Sequence, residues 1–104
     1  MIYRVTAKHI QGKAPEFYTK LTDGSIENQR PDGREIVSSM RRAKIIELGV
    51  IQWYETCYCS TPLKHERETV YDRYLEDIST SEVGEYGDVS GDSFWSYLQG
   101  AGPG

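Results

Sequence analysis

Residues 50–59, VIQWYETCYC, decide what kind of fold this chain can make. The stretch is dense in β-branched and aromatic residues and poor in strong helix formers, so it reads as a strand. Apolar side chains fall on both of its faces, which predicts an interior strand covered on both sides or lying at an interface. Gly49 before it and Thr61-Pro62 after it are breaks, the glycine suited to end a helix and the Thr-Pro pair to begin one.

Toward the N-terminus, Asp32 followed three residues later by Glu35 has the spacing of a capping box and predicts a helix start. Ile36, Val37, Met40 and Ala43 then recur at helical spacing. The stripe loses phase near its end, where Glu47 enters the apolar sector and Ile45 leaves it, so the helix should stop near Lys44 or Ile46. Residues 2–10, IYRVTAKHI, alternate, with Tyr3, Val5 and Ala7 on one face and Arg4, Thr6 and Lys8 on the other, which predicts an amphipathic strand. Between them Pro15 opens an expected helix over 14–22 carrying Phe17, Tyr18 and Leu21, followed by a short strand. Asp23-Gly24 offers the competing reading of a hairpin with FYTKL and SIENQ as its arms.

Toward the C-terminus, Leu63, Val70, Tyr71, Tyr74, Leu75 and Ile78 share one arc of a helical wheel, while His65, Asp72 and Glu76 lie opposite. Residues 79–93 are polar, acidic and Gly-containing, and read as a loop or partial disorder. Asp92 or Ser93 can cap a short aromatic helix over 93–99 with Phe94, Trp95, Tyr97 and Leu98, and Gly-Ala-Gly-Pro-Gly reads as a flexible tail. The expected organisation is one compact domain over 1–79 and an acidic, Gly-rich segment over 80–104. The fold class is α+β, a small mixed or antiparallel sheet with two to three helices packed on one face.

The chain has 104 residues and a net charge of −4. That charge is unevenly spread, with +3 over residues 1–50 and −7 over 51–104. A net acidic chain argues against a general nucleic-acid binder, whose affinity comes from cations on phosphates. The acidic segment is instead expected to fold back onto the basic half. No apolar run approaches the roughly 20 residues that span a bilayer. The first residues lack a charged region followed by an apolar one, so a soluble cytoplasmic protein without a membrane partner is expected. Eight Tyr and two Trp supplement a modest complement of aliphatic residues, and they suit both core and interface.

Cys57-Tyr-Cys59 carries the most specific chemistry. Residues i and i+2 of a strand point to one face, so both sulfurs could meet one metal ion. His65 lies six residues further on, and a fourth zinc-type ligand could come from Glu66, Glu68 or His9. The competing readings are two thiols packed in a strand, or a thiol activated by the helix start at Pro62 for redox or nucleophilic work. His65-Glu66-Arg67-Glu68 is not a zinc-protease motif, because the position four residues after the histidine is Thr69. Arg67 falls inside the apolar arc, where a guanidinium needs a carboxylate such as Glu55, a route outward along its stem, or an anionic ligand. Arg34, Arg41 and Arg42 form a basic face on the second helix, and Trp53, Tyr54 and Trp95 are natural interface material. No glycine pattern marks a nucleotide site and no serine motif marks a hydrolase.

These readings favour a small interaction module, non-catalytic and without a required cofactor, which binds a protein partner or a second copy of itself. The alternative is a zinc-type or thiol-based redox protein centred on Cys57, Cys59 and His65.

Overall fold

The structure is a computed structural model and describes residues 1–101. Among the described residues five antiparallel strands form one sheet, and four helices supply the other half of the core. The strands are β1 (Ile2–His9), β2 (Lys44–Glu47), β3 (Val50–Thr56), β4 (Leu75–Val83) and β5 (Asp92–Ser93). The helices are α1 (Ala14–Thr22), α2 (Gly33–Arg42), α3 (64–74) and α4 (Phe94–Gly100). The spatial order β4-β1-β3-β2-β5 puts β3 at the centre, as its composition predicts.

The period of two fixes which side is dry. Tyr3, Val5 and Ala7 of β1 and Ile51, Trp53 and Glu55 of β3 are buried, and they pair across the ladder as Tyr3 with Glu55, Val5 with Trp53 and Ala7 with Ile51. Phe17 and Leu21 of α1, Ile36, Val37 and Met40 of α2, and Phe94 and Leu98 of α4 are buried against the same core. Gln52, Tyr54 and Thr56 on the other face stay half-buried, so β3 is covered on one side only, contrary to the expectation of two covered faces. Two glycines are required by position. Gly49 adopts φ +79 in the β2–β3 turn, and Gly33 lies so close to the Ile26 and Glu27 carbonyls that a Cβ would overlap them.

Helix α1 has the bounds its sequence predicts, but residues 24–31 run as turns, so neither the short strand nor the hairpin forms. Asp32 occupies the N-cap of α2 without making the expected side-chain cap, and its carboxylate is drawn to α3 instead. Helix α2 ends at Arg42, and the phase slip beyond it marks a change of element: Lys44–Glu47 is strand β2. Regular helix in α3 begins at 64, not at Pro62, after Leu63 takes a left-handed φ of 57°. It ends at Tyr74 because β1 has a second edge to fill. Leu75 and Ile78, expected on the helix, belong to β4, which pairs with β1 from His9–Leu75 to Ile2–Val83. Tertiary pairing here overrides a helical period.

The chain after residue 79 is built into the compact fold, which corrects the expected boundary. Strand β4 runs to Val83, β5 pairs with β2, and the Phe94 N–H donates to the Ala43 carbonyl at 3.0 Å. Ser93 caps α4 by accepting from the Ser96 N–H at 3.1 Å. Residues 84–91 cross between the two sheet edges, and Tyr86 docks on the basic half beneath the Arg42 guanidinium, 5.1 Å from the ring centre. Of the expected flexible tail, Gly100 closes α4 and Ala101 caps it, and residues 102–104 lie outside the described residues. Among the described residues no helix is long and apolar enough to cross a membrane.

Candidate metal centre

The C-terminal end of β3 and the start of α3 meet at one end of the sheet, and this junction gathers the chemistry. Glu55 and Cys57 are successive inward positions of one extended stretch, and the Cys57 N–H is tied to the Met1 carbonyl at 2.9 Å. The chain then turns, and the Cys59 N–H donates to Cys57 Sγ at 3.2 Å. Across the junction α3 presents Glu66, which is buried. One oxygen of that carboxylate, Oε1, lies 3.7 Å from Cys57 Sγ and 3.5 Å from Cys59 Sγ. Ligand atoms of Cys57, Cys59 and Glu66 all lie within 4.8 Å of one another.

Helix α3 brings Glu66 inward through a local change of helical period. Residues Arg67–Tyr71 form a π-turn, in which the Asp72 N–H bonds back to the Arg67 carbonyl, five residues earlier. The extra residue in that turn brings Glu66, Val70 and Tyr71 to the buried side. It also turns Arg67 outward, where its guanidinium pairs with Asp72 at 3.3 Å on a partly exposed surface. The placement of Arg67 within an apolar arc is therefore corrected, and Glu55 is not its partner. Lys64 and Glu68, one helical turn apart, pair on the exposed side of α3.

Burial sets the electrostatics. It pushes the Cys57 thiol up to about 12, with the Cys59 thiol and the Glu66 charge adding to the push and the backbone N–H groups of Cys59 and Leu63 opposing it. Burial likewise raises the Glu55 carboxyl to about 8, against the hydrogen bonds from Tyr71 and Trp53 and with help from the charges of Glu66 and Glu35. Glu55 Oε1 accepts from Trp53 Nε1 at 2.8 Å and from the Tyr71 hydroxyl at 2.6 Å, while Oε2 has no partner. No Lys, Arg or His among the described residues forms an ion pair with Glu55 or Glu66.

A cavity of about 530 Å³ opens beside the three ligands, its wall completed by Asp32, Glu35, Thr56 and the exposed Tyr58. Glu35 Oε2 accepts from the Thr56 N–H at 3.2 Å and from the Tyr86 hydroxyl at 3.1 Å, which ties the crossing segment to the rim. His65 stands apart from the cysteines. Its Nδ1 is 2.6 Å from Asp32 Oδ2, and that hydrogen bond raises its pKa against a lesser opposing effect of burial.

Of the residues singled out from sequence, Cys57 and Cys59 converge, and Glu66, one of three alternatives for a further ligand, joins them in the place expected for His65. Glu68 faces solvent, and His9 lies at the opposite end of β1 against Phe94 and Tyr97. Trp53 is fully buried and offers no surface, so its reading as interface material is corrected. Tyr54 is stacked beneath Tyr86, Trp95 packs between Tyr18 and Arg41, and Arg34 and Arg42 are exposed. The roles of Asp32 and Glu35 on the cavity wall had no sequence signal beyond a capping pattern, which pointed elsewhere. No protein-family model matches the chain, and no curated protein or solved structure matches it significantly.

Proposed function

We propose that this chain is a small metal-binding domain that holds a zinc-type divalent ion on Cys57, Cys59 and Glu66 and acts by binding, without catalysis of its own. One observation carries the reading, the position of Glu66 Oε1 at 3.7 and 3.5 Å from the two sulfurs. A tetrahedral zinc with Zn–S of about 2.3 Å and Zn–O of about 2.0–2.2 Å sets an S···O edge of about 3.5–3.7 Å. The two S···O spacings are thus close to two edges of such a shell, and the sulfurs lie within 4.8 Å of each other, where the shell needs about 3.8 Å. A dication would also supply the positive charge that buried Glu66 lacks, and it would draw the protons off both thiols.

The thiol alternative is less well supported. Burial pushes the Cys57 thiol up to about 12, away from the lowered value that marks a nucleophilic or fast redox thiol. Two thiolates and a carboxylate more than neutralise a dication, which weakens its Lewis acidity and favours holding over hydrolysis. Thiol ligands one residue apart suit a reducing compartment, and on that ground we place the protein in the cytoplasm.

Elemental analysis of untagged protein purified without chelators tests the reading directly. About one equivalent of zinc is expected, falling below a tenth in Cys57→Ser and in Cys59→Ser variants that keep the parent circular dichroism. Protein that is metal-free as purified and takes up no zinc on incubation at micromolar concentration overturns it.

A further inference from the structure

Resting on the metal-binding reading above, we infer that the fourth position of the ion opens into the cavity and takes a neutral nitrogen donor of the imidazole class from outside the chain. The chain itself supplies three donors, and no further Asp, Glu, His or Cys among the described residues joins their 4.8 Å grouping. The nearby groups that could close the shell are committed elsewhere. Asp32 holds His65 Nδ1 at 2.6 Å on one oxygen and Gln29 Nε2 at 3.1 Å on the other. Glu35 Oε2 is taken by the Thr56 N–H and the Tyr86 hydroxyl.

Charge and size choose the visitor. Two thiolates and one carboxylate around a dication leave a net −1, which the wall does not offset, since its two further carboxyl groups, Asp32 and Glu35, pair with His65 at 2.6 Å and with Arg42 at 3.5 Å. A phosphate or carboxylate entering there meets like charge at short range in a partly desolvated site. A neutral imidazole does not, and it is a donor that zinc accepts beside thiolates. About 530 Å³ accommodates such a ring together with the chain that bears it. The donor is a histidine side chain of a partner or a free small imidazole, and the two are separable by experiment.

The test uses the cobalt(II)-loaded protein and its absorption spectrum. Sulfur-to-cobalt charge-transfer bands report the two thiolates, and their absence refutes the metal site itself. With those bands present, the visible d–d bands report the fourth position. Imidazole or the capped peptide Gly-His-Gly is expected to shift the d–d bands saturably near neutral pH, while inorganic phosphate leaves them unchanged. Saturation by the peptide at about tenfold lower concentration than by imidazole supports a partner histidine as the source. Equal or weaker peptide binding supports a small ligand. Bands that move with neither imidazole probe, or that move equally with phosphate, overturn the inference while the metal site stands. Unresponsive bands that change in a Glu35→Gln variant would show the chain closing its own shell.

Discussion

Replacing Glu55 with Gln should remove a pH dependence of stability more than stability itself. Glu55 is fully buried, and its carboxyl is raised from about 4.5 to about 8, first by burial and then by the neighbouring charges of Glu66 and Glu35. Between those two values the folded chain keeps a proton that the unfolded chain has released. The contribution of Glu55 is therefore complete below about pH 4.5 and is lost as pH rises toward and through 8. One proton gives a slope of about 1.4 kcal/mol per pH unit, so from pH 5 to 8 the loss is roughly 4 kcal/mol. That is a large share of the 5–15 kcal/mol typical of a domain. Glutamine keeps an oxygen that can accept from Trp53 and Tyr71, and it carries no titrating proton. Urea unfolding of parent and Glu55→Gln, followed by tryptophan fluorescence at several pH values, reads the difference. Chelator is included, because a dication beside Glu66 would favour ionised carboxyls and compress the window. The variant should gain on the parent by about 1 kcal/mol or more per pH unit across the window. Two stability curves that run parallel within about 0.5 kcal/mol would refute the argument, since they would mean that Glu55 titrates alike in both states.

Phe94→Ala should cost about 3–5 kcal/mol, because Phe94 is fully buried against α1 and the sheet, and a surface-like loss under about 1 kcal/mol in urea unfolding would contradict that packing. Gly33→Ala should lower stability by about 2 kcal/mol or more, since the added methyl meets the Ile26 and Glu27 carbonyls, and an unchanged melting temperature would count against that close approach. Asp32→Asn should bring the His65 imidazole down toward its ordinary value, because the Asp32 hydrogen bond is the main cause that raises it. An NMR titration of His65 that does not move between parent and variant would show that the contact is absent in solution.

The sequence makes the central features of this fold legible wherever one period governs a whole element. Alternation in IYRVTAKHI and the β-rich run from Val50 identify the two paired inner strands, and helix α1 falls on its expected residues. Legibility fails where two periods abut. Lys44–Glu47 reads as the fading end of a helix because the strand is four residues long and continues the helix's own apolar run. Leu75 and Ile78 match the helical arc of α3 by coincidence of spacing, yet β1 has an unpaired edge and the Ser/Thr-rich stretch that follows can alternate against it. Hydrogen bonding of a buried strand edge outweighs the small helical preference of those residues. The acidic residues of 80–92 looked unstructured because local composition carries no sign that Phe94 and Leu98 beyond them complete the core.

The candidate site turns on the same point at finer grain. Advancing 100° per residue from Leu63 puts Arg67 inside the arc and sets Glu66 apart from Tyr71, so a sequence reading looks to His65 and Arg67 for chemistry. One π-turn over Arg67–Tyr71 changes the phase by roughly a residue. Glu66 then turns toward the cysteines, Tyr71 reaches Glu55, and Arg67 swings out to Asp72. Removing that extra residue by deleting the exposed Glu68 should restore a regular helix. Glu66 and Tyr71 would then stand four residues apart, one α-helical turn, and still face the core together, so zinc uptake and the buried Tyr71–Glu55 contact should both survive the deletion. A Glu68-deleted chain that folds but takes up less than a tenth of the parent's zinc, or whose Tyr71 hydroxyl exchanges freely, would show that the π-turn does more than absorb one extra residue.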